Sequence, residues 1–347
     1  VFGYFGYDLK NKIEALSSGN KDLAGFPDAL LFSPANLFEI ERGRCRTLVG
    51  NYDLSCSEIN RLLAHSQNGN NHGVELQPLI TQDEYVRRVQ GLKAHIQQGD
   101  IYEVNFCQAF EGKTTNFNPW DCFRKLNALT KAPFGAFMQW GPFSIISGSP
   151  ERFMKRQGDR LVSQPMKGTA PRNADALQDE RIKLNLQNDP KERSENVMIT
   201  DLVRNDMSKH AKKGSVKVTE LFGVHSFETV HQMISTVEAD LQPNTSFTTL
   251  LQDLFPMGSM TGAPKIKAMQ LIEDFEAFKR GPFSGAFGYI APNGDFDFSV
   301  LIRSLFHNSD TGALVGCTGG AITIESDPQL EYLESMLKAK ALFSALE

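Results

Sequence analysis

The chain has 347 residues, 41% hydrophobic and 22% charged, with a net charge of −5: enough to bury a large core, and without the concentrated basic face that nucleic acid requires. No apolar run reaches the ~18 residues of a membrane helix, and the N-terminus lacks the basic, apolar, small-residue order of a signal peptide, so a cytoplasmic protein with a small-molecule site is expected. Five cysteines, Cys45, Cys56, Cys107, Cys122 and Cys317, form no CxxC pair and are odd in number, which argues against a disulfide framework or a zinc knuckle.

The chain opens at Val1 in an aromatic and glycine-rich stretch that already reads as a strand, so a preceding segment is expected. Residues 1–50 mix short apolar runs with Gly and Pro, and 52–78 turn polar and end in the Asn/Gly-rich loop Gln67–Gly73. A boundary near 78 sets an N-terminal segment, 1–78, packing on a main domain, 79–347. Thr81 can cap a helix in which Val86, Val89, Leu92 and Ile96 recur at helical spacing and Gly99 ends it. Strands are predicted over 101–110 and 134–148.

Ser163–Arg172 sets Lys167 in a turn bracketed by Pro165, Gly168 and Pro171. Near apolar walls and other cations its pKa would fall and the neutral amine would be a nucleophile or base; the alternative is an ordinary loop lysine. Over the helical stretch 174–213, Glu192 and Glu195 stand three apart, as do Glu331 and Glu334 near the C-terminus. Each pair projects from one helix face. Together the four suit a hard cation such as Mg²⁺, and singly each pair suits a solvated helix.

Gly258-Ser259-Met260-Thr261-Gly262-Ala263-Pro264-Lys265 precedes an apolar-periodic stretch, with Pro264 at the first helical position. It is an anion site in outline or a tight structural turn; P-loop spacing fails. From 285 to 324 the pattern turns to strands. Phe296, Phe298, Val300 and Ile302 share one face, and Arg303 points away from it. Val315–Ala321 reads as a flexible turn between strands, and with valine at 315 Cys317 is not set in a nucleophile elbow. The last helix is predicted to bury Leu330, Leu333, Leu337 and Ala341.

Taken in order, these segments resemble the chorismate-utilising enzymes, a family that includes anthranilate synthase component I, aminodeoxychorismate synthase component I, isochorismate synthase and salicylate synthase. The resemblance covers roughly 80–345 and runs through Ser149–Phe153, the Lys167 segment, Glu195–Asp206, Gly258–Lys265, Arg280–Tyr289, Arg303, Gly319-Gly320 and Asp327–Lys338. Gly3–Asp8 resembles the segment that precedes this domain in the amino-transferring members. The resemblance implies an α/β sandwich of two facing sheets flanked by helices, with the active site in the central cleft.

Lysine at 167 resembles the aminodeoxychorismate-forming members, in which the amine adds to C2 of chorismate as the 4-hydroxyl leaves and ammonia then enters at C4. The same resemblance makes Glu151 the general acid/base, Glu195 and Glu331 the principal Mg²⁺ ligands, and Glu192 and Glu334 supporting ones. Arg303 would bind the enolpyruvyl carboxylate, Gly319 and Gly320 would offer backbone N–H groups, and Thr169, Thr261 and Lys338 would contact substrate. Ammonia would come from a transient glutamine amidotransferase subunit, with ammonia-dependent activity in this chain alone. Glu103 stands where water-adding members carry a lysine, Gln232 replaces a histidine of anthranilate synthases, and Ala321 replaces a third glycine. The rival readings are anthranilate synthase component I and a non-catalytic chorismate-binding homologue.

Overall fold

The computed structural model describes residues 1–42, 44–51, 54–55, 57–58, 61 and 74–347; the Gln67–Gly73 loop and Cys56 lie outside them. The strands are β1 (Phe2–Phe5), β2 (Ala29–Phe32), β3 (Leu37–Glu41), β4 (Arg44–Val49), β5 (Gln77–Pro78), β6 (Glu103–Lys113), β7 (Phe134–Trp140), β8 (Phe143–Ser149), β9 (Arg152–Gln157), β10 (Arg160–Gln164), β11 (Met166–Pro171), β12 (Lys217–Ser226), β13 (Val230–Asp240), β14 (Gly262–Ala263), β15 (Ala286–Ile290), β16 (Phe296–Val300), β17 (Ser304–Asn308) and β18 (Ala313–Ile322). The longer helices are α1 (Gln82–Gln98), α2 (Pro119–Thr130), α3 (Ala176–Asn188), α4 (Pro190–Ser208), α5 (Phe247–Leu254), α6 (Lys265–Phe275) and α7 (Pro328–Ser344). None of the described helices is long and apolar enough to cross a membrane.

Among the described residues, two antiparallel sheets carry the fold. The larger runs β11-β13-β10-β9-β16-β15-β1-β2 with β12 beside β13, and the smaller runs β14-β6-β18-β17-β8-β7 with β5 beside β6. Their inner faces meet in one apolar core, where Cys107, Phe306, Val315 and Cys317 of the smaller sheet pack with Tyr4, Met154, Val237 and Phe298 of the larger. Helices α1 and α6 cover Val104, Phe106 and Ile322 on the outer face of the smaller sheet, and α2 and α7 cover Phe110, Ile146 and Leu314.

Strand β6 shows how alternation places chemistry. Val104 and Phe106 point outward under the helices, so their neighbours Glu103, Asn105 and Cys107 point between the sheets. Helix α1 forms as its sequence predicts: the Thr81 side chain accepts from Glu84 N, Gly99 ends the helix at φ +83°, and Val89 and Leu92 are buried.

Several expectations fail for physical reasons. In α7 the buried residues are Glu331, Ser335, Ala339 and Leu342, while Leu330, Leu333 and Leu337 are 64%, 58% and 69% exposed. Ala339 and Leu342 pack against the smaller sheet, and that orientation carries Glu331 inward. The 134–148 strand is a hairpin, β7 and β8, with Gly141 in its turn. Val315–Ala321 lies inside β18, paired residue for residue with β6. Its glycines serve close approach, since a methyl at Gly319 would fall 2.4 Å from both Cys107 Sγ and Phe106 O. Strand β16 ends at Val300; Leu301 is buried, and Arg303 sits beyond it at φ +50°. Pro264 caps α6, and Lys265 is its first residue.

Candidate active site

A cavity of about 800 Å³ opens between the sheets and is lined by residues from β11, α4, β18 and α7 and from the segments around Glu151, Ser259 and Arg303. It gathers Glu151, Lys167, Thr169, Glu192, Glu195, Arg303, Gly319, Gly320, Glu331, Glu334 and Lys338. Thr261 is the exception. It is fully buried, and its hydroxyl donates to the Met257 and Gly258 carbonyls, while Ser259 and Met260 of the same turn reach the cavity.

Lys167 lies on strand β11 opposite Met233 of β13, at a bulge that Gly168 makes with φ +76°. The predicted turn is therefore a distorted strand. Gln232 holds the bulge from the neighbouring strand: its amide donates to Gly168 O at 2.7 Å, and its oxygen accepts from Thr169 Oγ1 at 2.8 Å. His231, one residue earlier, points the other way and is tied to Ser226 and Asp179.

The Lys167 amine donates to Glu103 Oε1 at 3.0 Å and lies 3.8 Å from Glu195 Oε2. Burial alone would lower its pKa, as the sequence reading expected from apolar walls and other cations. The carboxylates of Glu103, Glu195 and Glu151 outweigh burial and hold it above the ordinary lysine range. The resting residue is an ammonium, and the expectation of a depressed pKa is corrected.

Helices α4 and α7 are each started by an aspartate cap followed by proline, Asp189-Pro190 and Asp327-Pro328. Both caps place a glutamate pair in the first turns. Glu195 and Glu331 are buried, and Lys191 bridges them at 3.8 Å and 3.3 Å. Glu195 Oε1 has no hydrogen-bond partner, and burial pushes its carboxyl up to about 7, with Lys167 pulling back. Burial and Glu334 also raise Glu192. Glu334 is lowered: burial opposes this, and Lys338, 2.8 Å away, outweighs it. Lys338 also donates to Gly319 O. Among the described residues no group of three or more His, Cys, Asp and Glu side chains converges as a metal cage, which is compatible with Mg²⁺, usually held by one or two carboxylates with water and substrate oxygens.

Elsewhere in the cavity wall, Glu151 is 4% exposed and accepts a 2.7 Å hydrogen bond from Ser259 Oγ. Burial pushes its carboxyl up to about 7, against the pull of Ser259, Lys167, Arg303 and Lys338. The Arg303 guanidinium makes no hydrogen bond or ion pair among the described residues; burial lowers its pKa, and Glu151 opposes that. An unpaired guanidinium on a cavity wall is a seat for a carboxylate. Cys317 is buried, and burial pushes its thiol well up, so it offers no thiolate.

Sequence reasoning gave no site role to Lys191, Ser259 or Gln232 and left Glu103 without one. The i, i+4 spacing of Lys191 and Glu195 carried the first signal. Ser259 and Gln232 depend on tertiary placement.

The sequence pattern of the family described as chorismate binding enzyme matches residues 1–344. An aminodeoxychorismate synthase component 1 of Klebsiella aerogenes is 40% identical over 269 residues, 77% of this chain and 59% of that protein. One from Escherichia coli is 33% identical over the whole chain, which spans 77% of its length. The crystal structure of anthranilate synthase component I from Streptococcus pneumoniae superposes with a TM-score of 0.85 at 26% identity, covering 99% of this chain and 80% of that one.

Proposed function

The chain belongs to the chorismate-binding enzyme family, and within it we propose that it converts chorismate and ammonia to 4-amino-4-deoxychorismate through a covalent adduct on Lys167. The observation that carries this reading is a lysine amine lining the same cavity as a carboxyl poised near neutrality and a free guanidinium. Relatives named aminodeoxychorismate synthase component 1 supply the substrate class and the need for a nitrogen-supplying second component.

Arg303 binds the enolpyruvyl carboxylate and fixes the ring. Lys167 first passes a proton to Glu103, the acceptor at 3.0 Å. Its amine then forms a C–N bond at C2, the ring double bonds shift, and the C4–O bond breaks as Glu151 gives its proton to the departing hydroxyl, which leaves as water. Ammonia next forms a bond at C4, surrenders a proton to Glu151 and expels the lysine from C2. The adduct blocks C2, so nitrogen ends at C4.

Mg²⁺ fits the acidic side of the cavity. Glu195 and Glu331 share one cation, Lys191, and Glu195 Oε1 is buried without a partner. These two residues would hold the ion, with Glu192 and Glu334 beside them, and the ion would polarise the ring carboxylate. Gly320 leaves the space open, since a methyl there would come within 3.1 Å of Glu331 Oε2.

The test is incubation of the purified chain with chorismate, Mg²⁺ and ammonium, with products identified by mass. Aminodeoxychorismate is expected without any glutaminase; anthranilate or isochorismate would overturn the reading.

A further inference from the structure

Glu151 borders two cavities. Besides the main one, a chamber of about 20 Å³ lies against Glu151 and Ser259 and is walled by Ser163, Asp206, Leu254 and Met257. That is room for about one water molecule. Asp206 in its wall is engaged by Lys265 at 2.6 Å, and Ser163 donates to Phe153 O. A carboxyl at this junction has two directions in which to send its proton, and only one leads to the main cavity.

Ser259 decides between them. Its hydroxyl donates to Glu151 Oε1 at 2.7 Å, and both groups are buried. The serine is itself braced. Asn105 Nδ2 donates to Ser259 O at 3.0 Å, Arg280 donates to Met260 O at 2.7 Å, and Arg280 is fixed by a buried pair with Glu276. The Gly258–Lys265 turn thus presents a serine hydroxyl to a carboxyl of the protein itself.

We propose that Ser259 is a positioning residue for Glu151, pinning Oε1 so that the other carboxyl oxygen delivers its proton into the main cavity and not into the chamber behind. The proposal rests on the reading of Glu151 as the acid for the departing hydroxyl. The charged groups that act on Glu151 are Lys167 from β11, Arg303 beyond β16 and Lys338 from α7; Ser259 is the neutral donor among them. A donor to a carboxylate favours its ionised form, so removing the hydroxyl moves the Glu151 midpoint upward from about 7. The alkaline limb of the rate profile, where the acid loses its proton, moves upward with it.

The experiment uses the full chain as wild type, Ser259→Ala and Ser259→Thr. The Glu151 carboxyl is titrated by carbon NMR of labelled glutamate without substrate, with Glu151→Gln identifying its signal. Chorismate turnover is followed against pH in parallel. Ser259→Ala is expected to raise the midpoint by about one pH unit and to lower kcat about tenfold with KM within about twofold; Ser259→Thr, which keeps the hydroxyl, restores both. An unmoved midpoint in Ser259→Ala, a change in KM alone, or a threonine variant that behaves like alanine overturns the proposal. The titration needs no substrate. A wild-type chain that makes another product would therefore sink the proposed reaction while the midpoint still judges Ser259.

Discussion

Around the cavity Lys167, Lys191 and Lys338 each form an ion pair with a carboxylate, whereas the guanidinium of Arg303 forms none among the described residues. Lys167 meets Glu103 at 3.0 Å, Lys191 meets Glu331 at 3.3 Å and Lys338 meets Glu334 at 2.8 Å. Among the described residues the Glu151 carboxyl accepts a hydrogen bond only from the neutral Ser259. The paired side holds its own charges in place before substrate arrives. On the proposed reading, the unpaired groups serve substrate groups of opposite need: Arg303 a carboxylate and Glu151 a departing hydroxyl.

Substitutions on each side should break this division in different ways. The largest effect is expected for Glu151→Gln, which keeps shape and removes the transferable proton: kcat should fall about 10²–10⁴-fold with little change in KM, read by steady-state kinetics. Arg303→Ala should cost roughly 2–5 kcal/mol of chorismate binding, seen in KM or by calorimetry. Arg303→Lys should restore only part of it, because a point charge lacks the bidentate fork.

On the paired side, Glu331→Gln should raise the Mg²⁺ concentration for half-maximal activity by roughly 10–100-fold, the scale of loss when even outer partners of a metal site are removed. The carboxyl of Glu195 is raised to about 7, so it is ionised above that pH and protonated below. Apparent Mg²⁺ affinity should therefore fall as pH drops through about 7, measured as activity against Mg²⁺ at several pH values. The smallest effect is expected outside the cavity. Leu333→Gln on the exposed face of α7 should change stability by no more than about 0.5 kcal/mol in denaturant unfolding.

The same contrast explains what was legible in the sequence. Helix α1 followed from Thr81, Gly99 and the spacing of Val89 and Leu92, because local caps and a single apolar face decide such an element. Helix α7 did not. Its apolar spacing pointed to Leu330, Leu333 and Leu337, but the fold turns Glu331 and Ser335 inward, where Ser335 meets Gln108 and Thr318. Eleven of the twelve predicted site residues line one cavity because ordered motifs carry identity even where periodicity misleads; Thr261 misses because its turn presents Ser259 instead. The raised pKa of Lys167 was out of reach, since it depends on Glu103 and Glu195 arriving from β6 and α4. Glycines 319 and 320 suggested a turn, whereas they let β18 lie close to β6 and to Glu331.

The most direct measurement of the central claim is peptide mass analysis of the chain quenched after mixing with chorismate and Mg²⁺ in the absence of ammonia. The account predicts that the peptide containing Lys167 gains the mass of chorismate less one water, and that adding ammonium before the quench removes the modification as aminodeoxychorismate forms. An unmodified Lys167 in a preparation that still makes aminodeoxychorismate with ammonium would contradict it.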